Sequence, residues 1–158
     1  MKKFLTFLLP VIAMFALSSC HDDKDLPDVD FNFEIANGTR VDGQLYVVQG
    51  DTLEIEAITV TNKEQGQGAM ITSASYYWDY YYLGASIQPP YGFEIFVDEN
   101  TPVGRHVLDV ECPLYASDKE PATAVVSFDV QVVASADDIP QTGTSTFTIT
   151  PKTSSTSD

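Results

Sequence analysis

The chain has 158 residues, of which 23 are acidic and 8 are basic, so its formal net charge at pH 7 is −15. This length is that of one domain with room for tails. Because so acidic a chain repels phosphate backbones, the composition excludes a nucleic-acid-binding protein.

The N-terminal residues 1–19 are predicted to be a lipoprotein signal peptide. Met1–Lys3 is basic, and the apolar run Phe4–Leu17 is shorter than the roughly 20 residues that a membrane span needs. The run ends in Leu17-Ser18-Ser19-Cys20, which resembles the bacterial lipobox. The resemblance implies that Cys20 becomes the acylated N-terminus and attaches the protein to a membrane. An ordinary secretory signal followed by an incidental cysteine is the alternative.

Residues 20–27 are predicted to form an acidic tether, because His21-Asp22-Asp23-Lys24-Asp25 has too little apolar surface to fold. The segment resembles the acidic export signal of Bacteroidetes surface lipoproteins. That resemblance implies a location on the outer membrane, at the cell surface. A solvated tether on the periplasmic side is the alternative.

Period-two alternation of apolar and polar residues begins at Asp28 and predicts an all-β domain over residues 28–134. About seven to eight short strands separated by turns favour a two-sheet β-sandwich. Residues 135–158 form a Ser/Thr-rich tail predicted to be disordered, with a possible edge strand at 144–150. The clearest alternating sets are Val29, Phe31, Phe33 and Ile35; Leu53 and Ile55; His106, Leu108, Val110 and Cys112; and Ala124, Val126, Phe128, Val130 and Val132.

The segment from Tyr76-Tyr77-Trp78-Asp79, through Leu83-Gly84, to Gly104-Arg105-His106-Val107-Leu108 resembles the bacterial immunoglobulin-like domains of Bacteroidetes lipoproteins. The resemblance implies the immunoglobulin-like sandwich and a structural role for His106. It departs from the pattern at Tyr80, where a glycine is expected. A two-residue type I′ turn needs positive φ at both central positions, so we expect a wider hairpin here.

Catalytic and metal-binding residues are scarce, and we expect neither an enzyme nor a cofactor. His106 is the only histidine available to a folded site, and its alternation with Leu108 places it on an inward face. Cys112 is predicted to be a small buried residue rather than a nucleophile. Calcium between the acidic turns Asp98-Glu99-Asn100 and Asp137-Asp138 is an alternative, but no ligand spacing supports a metal site.

The aromatic run Tyr76 to Tyr82 carries the strongest functional signal. Trp78 is predicted to be the core tryptophan, sharing the inward face with Tyr76. Tyr77, Tyr80, Tyr81 and Tyr82 cannot all face inward, so we predict that they form a binding surface for a glycan or a protein. Cross-strand aromatic pairs that merely stabilise a hairpin are the alternative.

The sequence therefore predicts a binding or adhesion module held at the outer membrane by its lipid anchor. A structural subunit of a surface fibre or envelope complex is the alternative. Asp51-Thr52-Leu53 also resembles the O-glycosylation triplet of exported Bacteroidetes proteins, which implies modification at Thr52. A turn leading into a strand explains the same three residues.

Overall fold

The computed structural model describes residues 26–64 and 66–141, together with the backbone of residues 152–155. In these residues the regular structure is β, apart from a 3₁₀ turn at Ala136–Asp138. The fold is an immunoglobulin-like sandwich of two sheets, as the alternation predicts. Its strands are β1 (Val29–Ala36), β2 (Thr39–Val41), β3 (Gln44–Val48), β4 (Thr52–Asn62), β5 (Ala69–Ile71), β6 (Ala74–Trp78), β7 (Tyr81–Ser86), β8 (Phe93–Phe96), β9 (Gly104–Ala116), β10 (Ala122–Val133) and β11 (Lys152–Ser155).

The small sheet has the order β1-β4-β8, and both of its pairings are antiparallel. The large sheet has the order β2-β3-β10-β9-β6-β7, with β5 paired to the end of β9 and β11 paired to the start of β10. Only the β3–β10 pairing is parallel among the described strands. The chain passes back and forth between the two sheets, so each sheet contains strands that are distant in sequence.

The core lies between the sheets and is built from the alternating residues of each strand. The β9 residues His106, Leu108, Val110 and Cys112 are all buried, which confirms the predicted inward face. Aromatic contacts join the two sheets: the rings of Phe33 and Phe128 meet edge to face at 4.9 Å. The core is therefore continuous across the sandwich.

The two ends of the sandwich carry different features. At one end, the start of β1 pairs with the end of β4, and Lys63 forms an ion pair of 2.9 Å with Asp28. Lys119, in the β9–β10 loop, reaches Glu64 at the same end, with 2.7 Å between the charged atoms. The β6–β7 turn lies at the opposite end, where Asp79 bonds to Val107 near the start of β9. The described chain thus enters the sandwich at the end away from this turn.

The structure adds short strands that the alternation did not predict. β2 and β5 have three residues each. β11 pairs with β10 at Lys152–Ser155, in the stretch that was predicted as a low-complexity tail. The predicted edge strand at 144–150 lies outside the described residues, as do the signal peptide and all of the tether up to residue 25.

Candidate binding surface at the β6–β7 hairpin

The turn between β6 and β7 contains only Asp79 and Tyr80, because Trp78 pairs directly with Tyr81. Both turn residues have positive φ, 47° for Asp79 and 71° for Tyr80. These signs and this length are those of a type I′ hairpin. The prediction of a wider hairpin is therefore wrong: the tyrosine occupies the left-handed position that the related pattern fills with glycine.

Asp79 fixes this turn to the neighbouring strand β9. Its backbone N–H donates to the Val107 carbonyl at 2.9 Å, and its Oδ1 accepts the Val107 N–H at 2.9 Å. Its Oδ2 lies 2.6 Å from Nδ1 of His106. Aspartate also tolerates the left-handed conformation better than most residues. Three contacts to β9 therefore hold the first turn residue in place and set the path of the second.

His106 is enclosed beneath the turn and uses both of its ring nitrogens. Nδ1 faces the Asp79 carboxylate, and Nε2 lies 2.7 Å from the Pro102 carbonyl oxygen. The ring stacks on Trp78 with 5.2 Å between centroids. Each ring nitrogen is therefore occupied by an oxygen atom of the same chain. His106 thus has a structural role here, and neither nitrogen is open to act as a base toward a substrate.

The side chain of Tyr80 contributes little to the stability of the fold. A left-handed backbone costs a residue with a bulky side chain roughly 1–2 kcal/mol. The side chain is 84% exposed, so burial does not compensate for this strain. Neither backbone preference nor packing explains a tyrosine here, and such an outlier is a basis for inferring function.

The exposed rings continue along β7. Tyr81 is 77% exposed, Tyr82 is 60% exposed and Leu83 is 42% exposed. We call Tyr80, Tyr81, Tyr82 and Leu83 the tyrosine patch. Tyr81 pairs with Trp78 and Tyr82 pairs with Tyr77, so these two rings lie on opposite faces of the hairpin. Large exposed apolar side chains gathered at one turn mark candidate interaction sites. Of the four tyrosines predicted to bind a ligand, the structure brings Tyr77 together with Tyr82 and with Tyr80, whereas Tyr81 is on the other face.

Tyr77, the fourth predicted tyrosine, is half-buried on the outer face of the large sheet. Its ring lies 5.4 Å from that of Tyr82, tilted by 58°. Burial, and then the charge of Glu111, raises the pKa of Tyr77. Tyr77 and Tyr80 line a shallow depression of about 220 Å³, which is completed by Asp109, Glu111 and Val125. Tyr77 thus packs against Tyr82 of the patch and lines this depression.

The remaining candidate residues lie elsewhere. Cys112 is fully buried, as predicted, and is a free thiol. Trp78 lies at the edge of the core, partly buried against it, rather than at its centre as predicted. Thr52 begins β4 and is partly exposed, and its glycosylation stays a prediction. Cys20 falls outside the described residues.

Two further features were sought in the part of the chain that the structure describes. No three side chains of His, Cys, Asp or Glu gather there in a way that could hold a metal ion. No helix in these residues has the length and apolar character to cross a membrane.

Comparisons with known proteins concern the fold alone. No protein-family model matches the chain, and no curated protein matches it. A solved structure of fibronectin(III)-like modules of Clostridium thermocellum CbhA is similar, with a TM-score of 0.41 and 16% sequence identity. The similarity covers 68% of this chain and 47% of the other, so it spans about half the length of that chain.

Proposed function

We propose that the protein is a lipid-anchored, non-enzymatic binding module of the outer membrane whose contact surface is the tyrosine patch. The observation that carries this proposal is Tyr80, held at positive φ with its ring in solvent. A strained residue that contributes no packing is best explained by what it contacts outside the chain. The absence of a free nitrogen on His106 argues against acid–base catalysis at the same site.

The placement of the patch suits a tethered receptor. A lipid on Cys20 would join the sandwich through residues 20–27, which span at most about 25 Å when extended. The chain enters at the end that contains Asp28 and Lys63, whereas the Asp79-Tyr80 turn lies at the other end. A tether at one end directs the patch away from the membrane, toward partners at the cell surface.

The chemistry of the patch suits glycans as well as proteins. Tyrosine rings offer flat apolar faces with a hydroxyl at the edge, which stack on sugars and pack well at protein interfaces. The carboxylates of Asp109 and Glu111 in the adjoining depression could accept hydrogen bonds from hydroxyl or amine groups. A structural subunit of a surface fibre is the second candidate, favoured by the open edge of β7, which pairs only with β6 among the described strands.

A triple variant with Tyr80, Tyr81 and Tyr82 changed to Ala tests the proposal. We expect binding to arrays of glycans and extracellular proteins to fall strongly, since aromatic anchors commonly contribute about 2 kcal/mol or more each. The thermal midpoint should stay close to that of the unaltered protein. Phe96→Ala is the matched control, because Phe96 is an exposed aromatic residue on the small sheet. Binding that survives the triple change, or is lost equally in the control, contradicts the proposal.

A further inference from the structure

The strand β7 is an edge of the large sheet, and the way it differs from the other sheet edges indicates what it binds. Edge strands expose a row of unpaired N–H and C=O groups, which proteins normally shield with charges, proline or covering segments. β7 has the sequence Tyr-Tyr-Leu-Gly-Ala-Ser, with no charged residue and no proline. Among the described strands it pairs only with β6.

The other edges are shielded. The outer side of β10 is covered by β11 at its first four residues and by β3 at its last four. β1, at the edge of the small sheet, carries Asp30 and Glu34. β8 has four residues that include Glu94, and β2 has three that include Arg40. β5, Ala-Met-Ile, is also uncharged but has only three residues. Among the described edge strands of more than four residues, β7 is therefore the one with neither a charged residue nor proline.

β7 contains a β-bulge. Tyr76 pairs with Gly84 while Tyr77 pairs with Tyr82, so Leu83 is the extra residue. A bulge bends and twists its strand and locally disrupts the ladder, so a further strand would pair with the regular residues on either side of Leu83. Added side-chain bulk is excluded at Gly84, where a Cβ atom would lie 2.9 Å from the Phe93 ring. β7 thus packs closely on Phe93 at Gly84, while its outer edge has no partner strand among the described residues.

We propose that β7 receives an extended segment of a partner protein, which adds to the large sheet as a further strand and carries a basic side chain over Tyr82 and Tyr77. This inference rests on the proposed function and names the partner of the same patch. A periodic row of backbone donors and acceptors is matched by another peptide strand, as in other cases of strand addition.

Charge complementarity selects the side chains of that segment. The chain has a formal net charge of −15, so two copies repel each other, whereas a basic segment is attracted. On the outer face next to β7, the rings of Tyr82 and Tyr77 lie 5.4 Å apart, and Glu111 lines the same depression as Tyr77. A Lys or Arg above these rings gains a cation–π interaction, which the nearby carboxylate strengthens.

The experiment pans a displayed library of random linear peptides against the purified protein and then maps the selected peptides by amide hydrogen exchange. We expect the selected peptides to contain Lys or Arg and to slow the exchange of the β7 backbone amides. Leu83→Lys and Ala85→Lys, which place a like charge on the edge, should each weaken binding roughly tenfold. Phe96→Lys, on the edge strand of the small sheet, should leave binding unchanged.

Several results overturn the inference. These are an absence of enriched peptides, peptides that slow amides elsewhere but not in β7, and full binding by both edge variants. Protection of β7 in a dimer of the protein alone would assign the edge to a second copy instead. Binding of neutral oligosaccharides that is lost in the triple tyrosine variant, without peptide binding, would overturn this inference while leaving the proposed function in place. If the triple variant keeps every binding activity, the proposed function itself fails.

Discussion

The carboxylate of Asp79 reaches across from the β6–β7 turn to the imidazole of His106 on β9, with 2.6 Å between Oδ2 and Nδ1. The same carboxylate accepts the Val107 N–H through its other oxygen. One side chain therefore joins the turn that presents Tyr80 to the strand at the centre of the large sheet. The turn geometry depends on residues 27 and 28 positions away along the chain.

Asp79→Ala should lower the free energy of unfolding by about 2 kcal/mol, because it removes hydrogen bonds to a charged group and leaves His106 without its partner. This loss in unfolding free energy is at the lower end for hydrogen bonds to a charged group, because the Asp79 side chain is partly exposed and solvent screens it. Asp79→Asn, which keeps an acceptor for Val107 and tolerates positive φ, should lose less. Urea denaturation measures both. Equal stability of all three proteins would show that the contact does not hold the turn.

Cys112 should react with thiol reagents only after the protein unfolds. It is fully buried, and burial raises the pKa of its thiol to about 12, so little thiolate exists at neutral pH. Labelling should be slow in native buffer and complete in denaturant. Rapid labelling of the native protein would mean that the β9 inward face has been misassigned.

Stability should fall at alkaline pH. Burial raises the pKa of Tyr76 well above its ordinary value of 10.0, and it raises the pKa of Cys112 to about 12 from 9.0. Because both pKa values are raised on folding, the native state holds these protons more tightly than the unfolded state. The contribution is complete below about pH 9 and is lost as the pH rises toward 12.

Tyr76→Phe checks the source of this loss. The variant also removes the hydrogen bond from the Tyr76 hydroxyl to the Tyr91 carbonyl, so the slopes of stability against pH are compared rather than the absolute values. Between pH 10 and 12 the variant should lose stability less steeply than the unaltered protein. Parallel slopes would assign the alkaline loss to other groups.

Cys20→Ala should release the protein from the membrane fraction of its native host, because Cys20 is the residue predicted to carry the acyl chains. Fractionation and a shift in electrophoretic mobility provide the measurement. Ser157→Ala, a small change far along the chain from the lipobox, serves as a control for nonspecific effects on export. Unchanged membrane retention in Cys20→Ala would remove the lipid anchor from the proposed function.

The sequence predicted the sandwich and the inward face of β9 because long strands such as β9 and β10 repeat their alternation many times. Strands of three residues, such as β2 and β5, contain too little alternation to be recognised. The turn was predicted incorrectly because backbone preference disfavours tyrosine at positive φ. What overrides that preference is the attachment of Asp79 to β9, a tertiary contact that no local pattern contains.

The exposure of the tyrosine patch was predictable for a related reason. A strand buries only alternate residues, so consecutive tyrosines at a turn cannot all lie inside. That Tyr77 would be half-buried was not predictable, because its contact with Tyr82 depends on the bulge that shifts the β6–β7 pairing.

The central claim is that Tyr80 occupies a strained turn position because of what it contacts outside the chain. Its most direct test is Tyr80→Gly, measured together for unfolding free energy and for binding to the ligands that the unaltered protein selects. Glycine adopts positive φ freely, so the variant should be more stable by about 1 kcal/mol while its binding weakens. A variant that is less stable, or that binds as well as the unaltered protein, would contradict the claim.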